Sequence, residues 1–158
     1  MSSPRLTYDA FRKIAPAAHD ALLAMGKSAD ESGVDKQVIE LVKLRVSQIN
    51  NCAFCLQIHL NTARRIGMPA EKLDLVATWH EAGVFSEKEC AALAWAEALA
   101  DLAGRSVTDE DYDAVAKHFS EEEVVFLSVS IANINAWNRL GAGFRFAPPI
   151  PKRVAAVA

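Results

Sequence analysis

The chain has 158 residues, enough for one domain with its own hydrophobic core. With 51% apolar and 23% charged residues it has the balance of an ordinary soluble globular protein, and it carries no low-complexity segment. A net charge of -3 without any block of Lys and Arg argues against nucleic acid as a partner. No apolar stretch approaches the ~20 residues that span a bilayer, so no membrane partner is expected.

The opening residues, Met1 to Arg12, lack the apolar run of a signal peptide, and a cytoplasmic location is expected. A weak helical region covers Tyr8 to Met25, with Pro16 marking a fresh start inside it. Residues Lys27 to Gly33 read as a loop. The next helix runs from Asp35, its N-cap, to Ile49, with Val38, Leu41, Val42 and Ile49 as an apolar face. Asn50-Asn51 is a turn signal. A helix then begins at Cys52 and stops at Gly67, and another runs from Pro69 to Gly83.

Ser86 and Glu89 have capping-box spacing and open a helix to Ala103. Thr108 caps a short helix to Phe119. Ser120 and Glu123 repeat the box and open the longest helix, to Leu140. The Glu121-Glu122-Glu123 cluster suits the positive end of its dipole. Apolar residues recur at the helical period and nowhere alternate as in a strand. The expected fold is therefore all-α, one helical bundle spanning 1–158, with 147–158 as an extended, proline-rich tail.

Chemistry concentrates in Cys52-Ala53-Phe54-Cys55-Leu56-Gln57-Ile58-His59. A structural disulfide is not expected in a reducing compartment, so a close thiol pair points to catalysis or metal binding. Both cysteines lie at a helix start, where free N–H groups and the dipole favour a thiolate. His59 is one turn beyond Cys55, on the same face.

Glu40 lies about ten residues before the Asn50-Asn51 turn, or ~15 Å along its helix, and His59 about eight after it, or ~12 Å. In an antiparallel hairpin the two meet, and a carboxylate there can orient the imidazole. Haem attachment needs His directly after the second Cys, where Leu56 stands. Structural zinc needs four ligands, and His80, Cys90 and His118 are scattered. No metal site and no cofactor is read from the sequence. An inert pair is the remaining bland alternative to redox chemistry.

Glu40, eleven residues, Cys52, two residues, Cys55, three residues, His59 is the E-x11-CxxC-x3-H spacing. On this motif the chain resembles the AhpD-like alkylhydroperoxidases of the carboxymuconolactone decarboxylase superfamily. The segments Leu44 to Cys55, Ala92 to Leu99 and Asn135 to Arg139 are similar as well. The resemblance implies a homotrimer or homohexamer and thiol-dependent reduction of a hydroperoxide substrate. It implies Cys55 as the peroxidatic cysteine, Cys52 as the resolving one, and His59 with Glu40 as a proton relay acting through a water. A dithiol donor, lipoyl or thioredoxin-like, would restore the thiols. The best-known peroxidases of the family carry a histidine just before the second cysteine, where Phe54 stands here. A decarboxylase-like enzyme without redox chemistry, or a redox-sensing oligomer without substrate, are the alternative readings.

Elsewhere the expectations are structural. Cys90 reads as a small buried hydrophobe. His80 reads as a helix-end or interface residue, His118 as a helix C-terminal one, and His19 carries little signal. Asn133, Asn135 and Asn138 need partners inside an apolar helix, from neighbouring helices or another subunit, with a contribution to the substrate pocket as the alternative reading.

Overall fold

The structure, a computed structural model, describes residues 3–151. In chain order the helices are α1 (Tyr8–Ile14), α2 (Pro16–Asp30), α3 (Lys36–Ile49), α4 (Ala53–Arg65) and α5 (Ala70–Leu75). A 3-10 turn (Val76–Thr78) follows, then α6 (Trp79–Ala82), α7 (Glu87–Ala100), α8 (Asp109–Ala116) and α9 (Glu121–Phe144). Among the described residues there is no strand. Within the expected tail, 147–151 has no regular structure, and the rest lies outside the described residues.

The helix starts are built by side chains that satisfy orphan N–H groups. Thr7 accepts from Ala10, Asp35 from Gln37, and Cys52 from Cys55. Ser86 with Glu89, Thr108 with Asp111, and Ser120 with Glu123 form full capping boxes. Pro16 opens α2, where its missing N–H costs nothing.

Five elements differ from the sequence expectation. The loop read over Lys27 to Gly33 is largely helix, because α2 continues to Asp30. Ala29 is fully buried, Asp30 accepts from Lys43, and Gly33 at φ 91° makes the turn instead. The helix read from Pro69 to Gly83 is three short pieces. Val76 and Trp79 are both buried, and a 3-10 turn places residues three apart on one side. The α7 helix ends at Ala100 and α8 at Ala116, each three residues early. Conversely, α9 runs past Leu140 to Phe144 and ends in a left-handed Arg145 at φ 56°.

The α3 helix is the centre of the bundle, packed on α4, α7 and α9. It is buried on more than one face: Ile39, Leu41, Val42, Leu44 and Val46 are all 1% exposed or less, while Ile49 is only half-buried. One core cluster joins α3, α7 and α9 through Val42, Ala96, Leu127 and Ile131. A second lies behind it, where Leu41, Leu44 and Leu93 meet Val76 and Trp79. Burying each large apolar side chain stabilises by about 1.5–3 kcal/mol. Glu97 on α7 clamps this side, accepting from Arg45 at 2.6 Å and from the Trp79 indole at 2.8 Å. His80 stacks on Trp79 at a helix end and stays exposed.

The α1 and α2 helices cross the end of α9. The backbone N–H groups of Arg5 and Leu6 both donate to the Phe144 carbonyl. Tyr8, Phe11, Phe54, Trp137, Phe144 and Phe146 form a continuous aromatic cluster there. This cluster walls one side of the cavity described next.

Candidate active site

The turn between α3 and α4 is Asn50-Asn51, and Asn51 takes the left-handed conformation at φ 52°. It sets the two helices as an antiparallel hairpin, in which Glu40 and His59 meet at the same depth. The Glu40 carboxylate lies 2.8 Å from His59 Nδ1. A carboxylate only accepts, so Nδ1 carries the proton and Nε2 is the nitrogen left to exchange one.

Glu40 is itself held from a second side. Lys43, one turn along α3, is 5% exposed and places Nζ 3.4 Å from Glu40 and 2.8 Å from Asp30. Burial pushes the Glu40 carboxyl up, but the His59 hydrogen bond and charge and the Lys43 ammonium outweigh it. The net result is a carboxylate held below its ordinary value of 4.5. Lys43 carried no signal in the sequence reading beyond its position at i+3 from Glu40.

The cysteines sit one turn closer to the loop. Cys52 is the N-cap of α4, and Cys55 lies in its first turn. Both are buried and reduced. The Cys55 N–H donates to Cys52 Sγ at 3.4 Å. The Cys55 thiol donates to the same sulfur, and with the Asn138 amide and nearby backbone N–H groups it outweighs burial, lowering the Cys52 thiol from 9.0 to about 7. The Cys55 thiol is correspondingly raised, because its proton is held by Cys52, its surroundings are dry, and a charge on Cys52 repels a second one. The pair therefore loses one proton easily and keeps the other.

Two α9 residues complete the site: Asn138, whose pocket role was only the alternative reading, and Gly141, which the sequence reading did not assign. Asn50 Nδ2 donates to Asn138 Oδ1 at 3.0 Å, which turns the Asn138 amide nitrogen towards Ser47 and the sulfurs. Gly141 leaves the space the sulfurs occupy, since a Cβ there would lie 2.7 Å from Cys52 Sγ and 3.2 Å from Cys55 Sγ. The three asparagines of α9 find their partners between helices, as Asn133 donates to the Leu22 carbonyl and Asn135 accepts from Asn50. Cys90 is half-buried rather than buried, because it packs at the edge of the second core cluster.

A cavity of about 290 Å³ opens beside this group. Cys55 and His59 line it, whereas Cys52, 1% exposed, does not. Its other walls are mostly apolar, among them Phe54, Ile58, Ile134 and Trp137. Phe54, between the cysteines in sequence, packs its ring into the aromatic cluster, 5.3 Å from both Tyr8 and Phe146.

An all-helical bundle with a CxxC at a helix N-terminus, beside a carboxylate–imidazole pair from one hairpin, defines a protein of the AhpD-like type. The chain belongs to the carboxymuconolactone decarboxylase family, whose sequence profile matches residues 16–98. It is 36% identical over 138 residues to the uncharacterized protein YdfG of Bacillus subtilis, covering 87% of this chain and 92% of that one. Its fold superposes with TM-score 0.88 on a protein of unknown function from Agrobacterium tumefaciens. That protein, named as a candidate antioxidant defence protein AhpD, is 36% identical, with 94% of this chain and all of the other covered. The debrominase Bmp8 shares the fold at TM-score 0.77, with 22% identity over 86% of this chain and 73% of that one. At that identity the likeness is one of fold alone. Among the described residues no helix is long and apolar enough to cross a membrane.

Proposed function

We infer that the chain is a thiol-dependent peroxidase that reduces organic hydroperoxides through a dithiol–disulfide cycle of Cys55 and Cys52. The observation that carries this reading is the division of the pair. Cys55 faces the cavity beside His59, and Cys52 lies behind it, charged first and closed off from the cavity.

The proton on Cys55 passes to Cys52, and the Cys55 thiolate attacks the terminal peroxide oxygen. The O–O bond breaks, and the leaving alkoxide takes, through a water, the Nε2 proton of a doubly protonated His59 ring. Cys55 is now a sulfenic acid. Cys52 displaces its hydroxyl, which leaves with the Cys52 proton as water, and a disulfide forms. A dithiol donor, a lipoyl group or a thioredoxin-like protein, reduces the disulfide by exchange, and His59 recovers its proton. Glu40 accepts from Nδ1 throughout, which fixes the ring and leaves Nε2 as the nitrogen that gives the proton and takes it back.

The cycle requires a reducing compartment, consistent with a cytoplasmic chain. A homotrimer or homohexamer would cover exposed apolar side chains such as Leu102 and Val125.

Stopped-flow oxidation by cumene hydroperoxide tests the reading. The wild-type oxidation is first order in peroxide, second order overall, and lost in Cys55→Ser. An unchanged rate in that variant refutes the assignment. Turnover of a lactone or similar acid that survives loss of both thiols would favour the decarboxylase-like alternative.

A further inference from the structure

The cavity has a second polar pole, opposite in origin to the thiols. Tyr8 of α1 lines it, and its hydroxyl lies 2.8 Å from Nε2 of His19. His19 is 5% exposed and has no place in the thiol chemistry. Its Nδ1 lies 2.9 Å from the carboxylate of Asp20, which is exposed to solvent. The His19 ring is fixed by aromatic contacts with Tyr8, Phe11 and Trp137.

Hydrogen-bond bookkeeping gives this chain a direction. The Asp20 carboxylate has no proton to donate, so His19 Nδ1 carries one. In a neutral imidazole Nε2 is then bare, and it accepts the Tyr8 proton. The Tyr8 oxygen is left with its lone pairs and no proton to offer the cavity. The remaining charged neighbours on α1, Asp9 and Arg12, lie 3.7 Å from each other on the exposed face. Burial also keeps the phenol protonated, above its ordinary value.

We propose that Tyr8, oriented by His19 and Asp20, is a ligand-binding residue of the cavity. It accepts a hydrogen bond from an O–H group of a small apolar ligand. Tyr8 makes the contact, and His19 and Asp20 are positioning residues. The Tyr8 ring packs 5.3 Å from Phe54, which adjoins Cys55, so the same apolar body can reach both poles. The inference stands on the cavity and not on the peroxidase reading.

Binding of an unreactive pair of probes tests it without any turnover. Cumyl alcohol has the O–H donor, and its methyl ether lacks it. Titration at about pH 8, where an ordinary imidazole is neutral, can follow tryptophan fluorescence, since Trp137 is on the wall. The wild type should prefer the alcohol by about fivefold to tenfold, the worth of one neutral hydrogen bond. Tyr8→Phe keeps the ring and its packing, and it should abolish the preference. Asp20→Ala frees the imidazole to take either tautomer and should reduce it partly, while the ether binds as before. Equal affinity for the two probes, binding of neither, or a preference that survives Tyr8→Phe overturns the proposal. Loss of peroxidase turnover in a separate assay would leave these outcomes unchanged, so the two readings fail independently.

Discussion

The sulfur of Cys52 lies where a side chain on Gly141 would begin, 2.7 Å from the position of its missing Cβ. Cys55 Sγ is 3.2 Å from the same point. A glycine inside the longest helix of the bundle costs ~1 kcal/mol of helix propensity relative to alanine. The close approach of the two thiols to α9 explains why it stands there.

Gly141→Ala measures which effect wins. Propensity favours alanine by ~1 kcal/mol, and overpacking opposes it by ~1–3 kcal/mol. The contact is with two buried sulfurs on a capped helix, so crowding should prevail. Thermal unfolding is expected a few degrees lower, and alkylation of the pair should change as the sulfurs move. An alanine variant of higher Tm with unaltered thiol reactivity would refute the packing account.

The thiols should titrate in two separated steps. One proton leaves near pH 7, and the second stays on until well above the ordinary value of 9.0. Ultraviolet thiolate absorbance of a Cys90→Ser background reads this directly. Asn138→Leu removes the amide donor and should raise the first step by roughly one unit, the scale of one lost hydrogen bond. Two thiols titrating together near 9 would contradict the shared-proton arrangement.

Acid should weaken the hairpin through Glu40. Its carboxyl is held below 4.5 in the folded chain, so it stabilises the fold above that pH. The contribution disappears as pH falls through the lower folded value. Glu40→Gln removes it altogether and leaves Lys43 with Asp30 alone. Urea denaturation should show the variant less stable by ~3–5 kcal/mol at neutral pH, the range for breaking a buried pair. The gap should narrow as pH falls below 4.5 and the wild-type carboxylate protonates. A gap independent of pH would point to lost packing rather than lost charge.

Removing the second thiol should stop the cycle after one step. In Cys52→Ser, one equivalent of cumene hydroperoxide is expected to convert Cys55 to a sulfenic acid that persists. A sulfenate-specific probe and peptide mass spectrometry would locate it. Modification at Cys52 instead, observed in the Cys55→Ser protein at the wild-type rate, would exchange the two roles.

Local signals were the most legible. The boxes at Ser86 and Ser120, the caps at Asp35 and Thr108, and the proline at the head of α2 each act within one helical turn, and all appear as read. Helix ends were less so. α2 continues past Met25 because Ala29 and Asp30 gain partners on α3 and in the core. The stretch after Pro69 breaks because Val76 and Trp79 must reach one cluster. Such reasons lie in tertiary contacts that helical periodicity does not encode.

The Glu40–His59 contact was legible because a short turn and a fixed rise per residue convert spacing into depth. The sequence by itself therefore determined the all-helical class, the hairpin and the spacing of the dithiol, carboxylate and imidazole. Only the tertiary structure decided which thiol meets the cavity and which takes the charge. It also brought Tyr8 with His19, and Asn138 with Gly141, to the site from helices remote in the chain. Their places follow from how α1, α2 and α9 pack across the hairpin, and no spacing within one helix records that crossing.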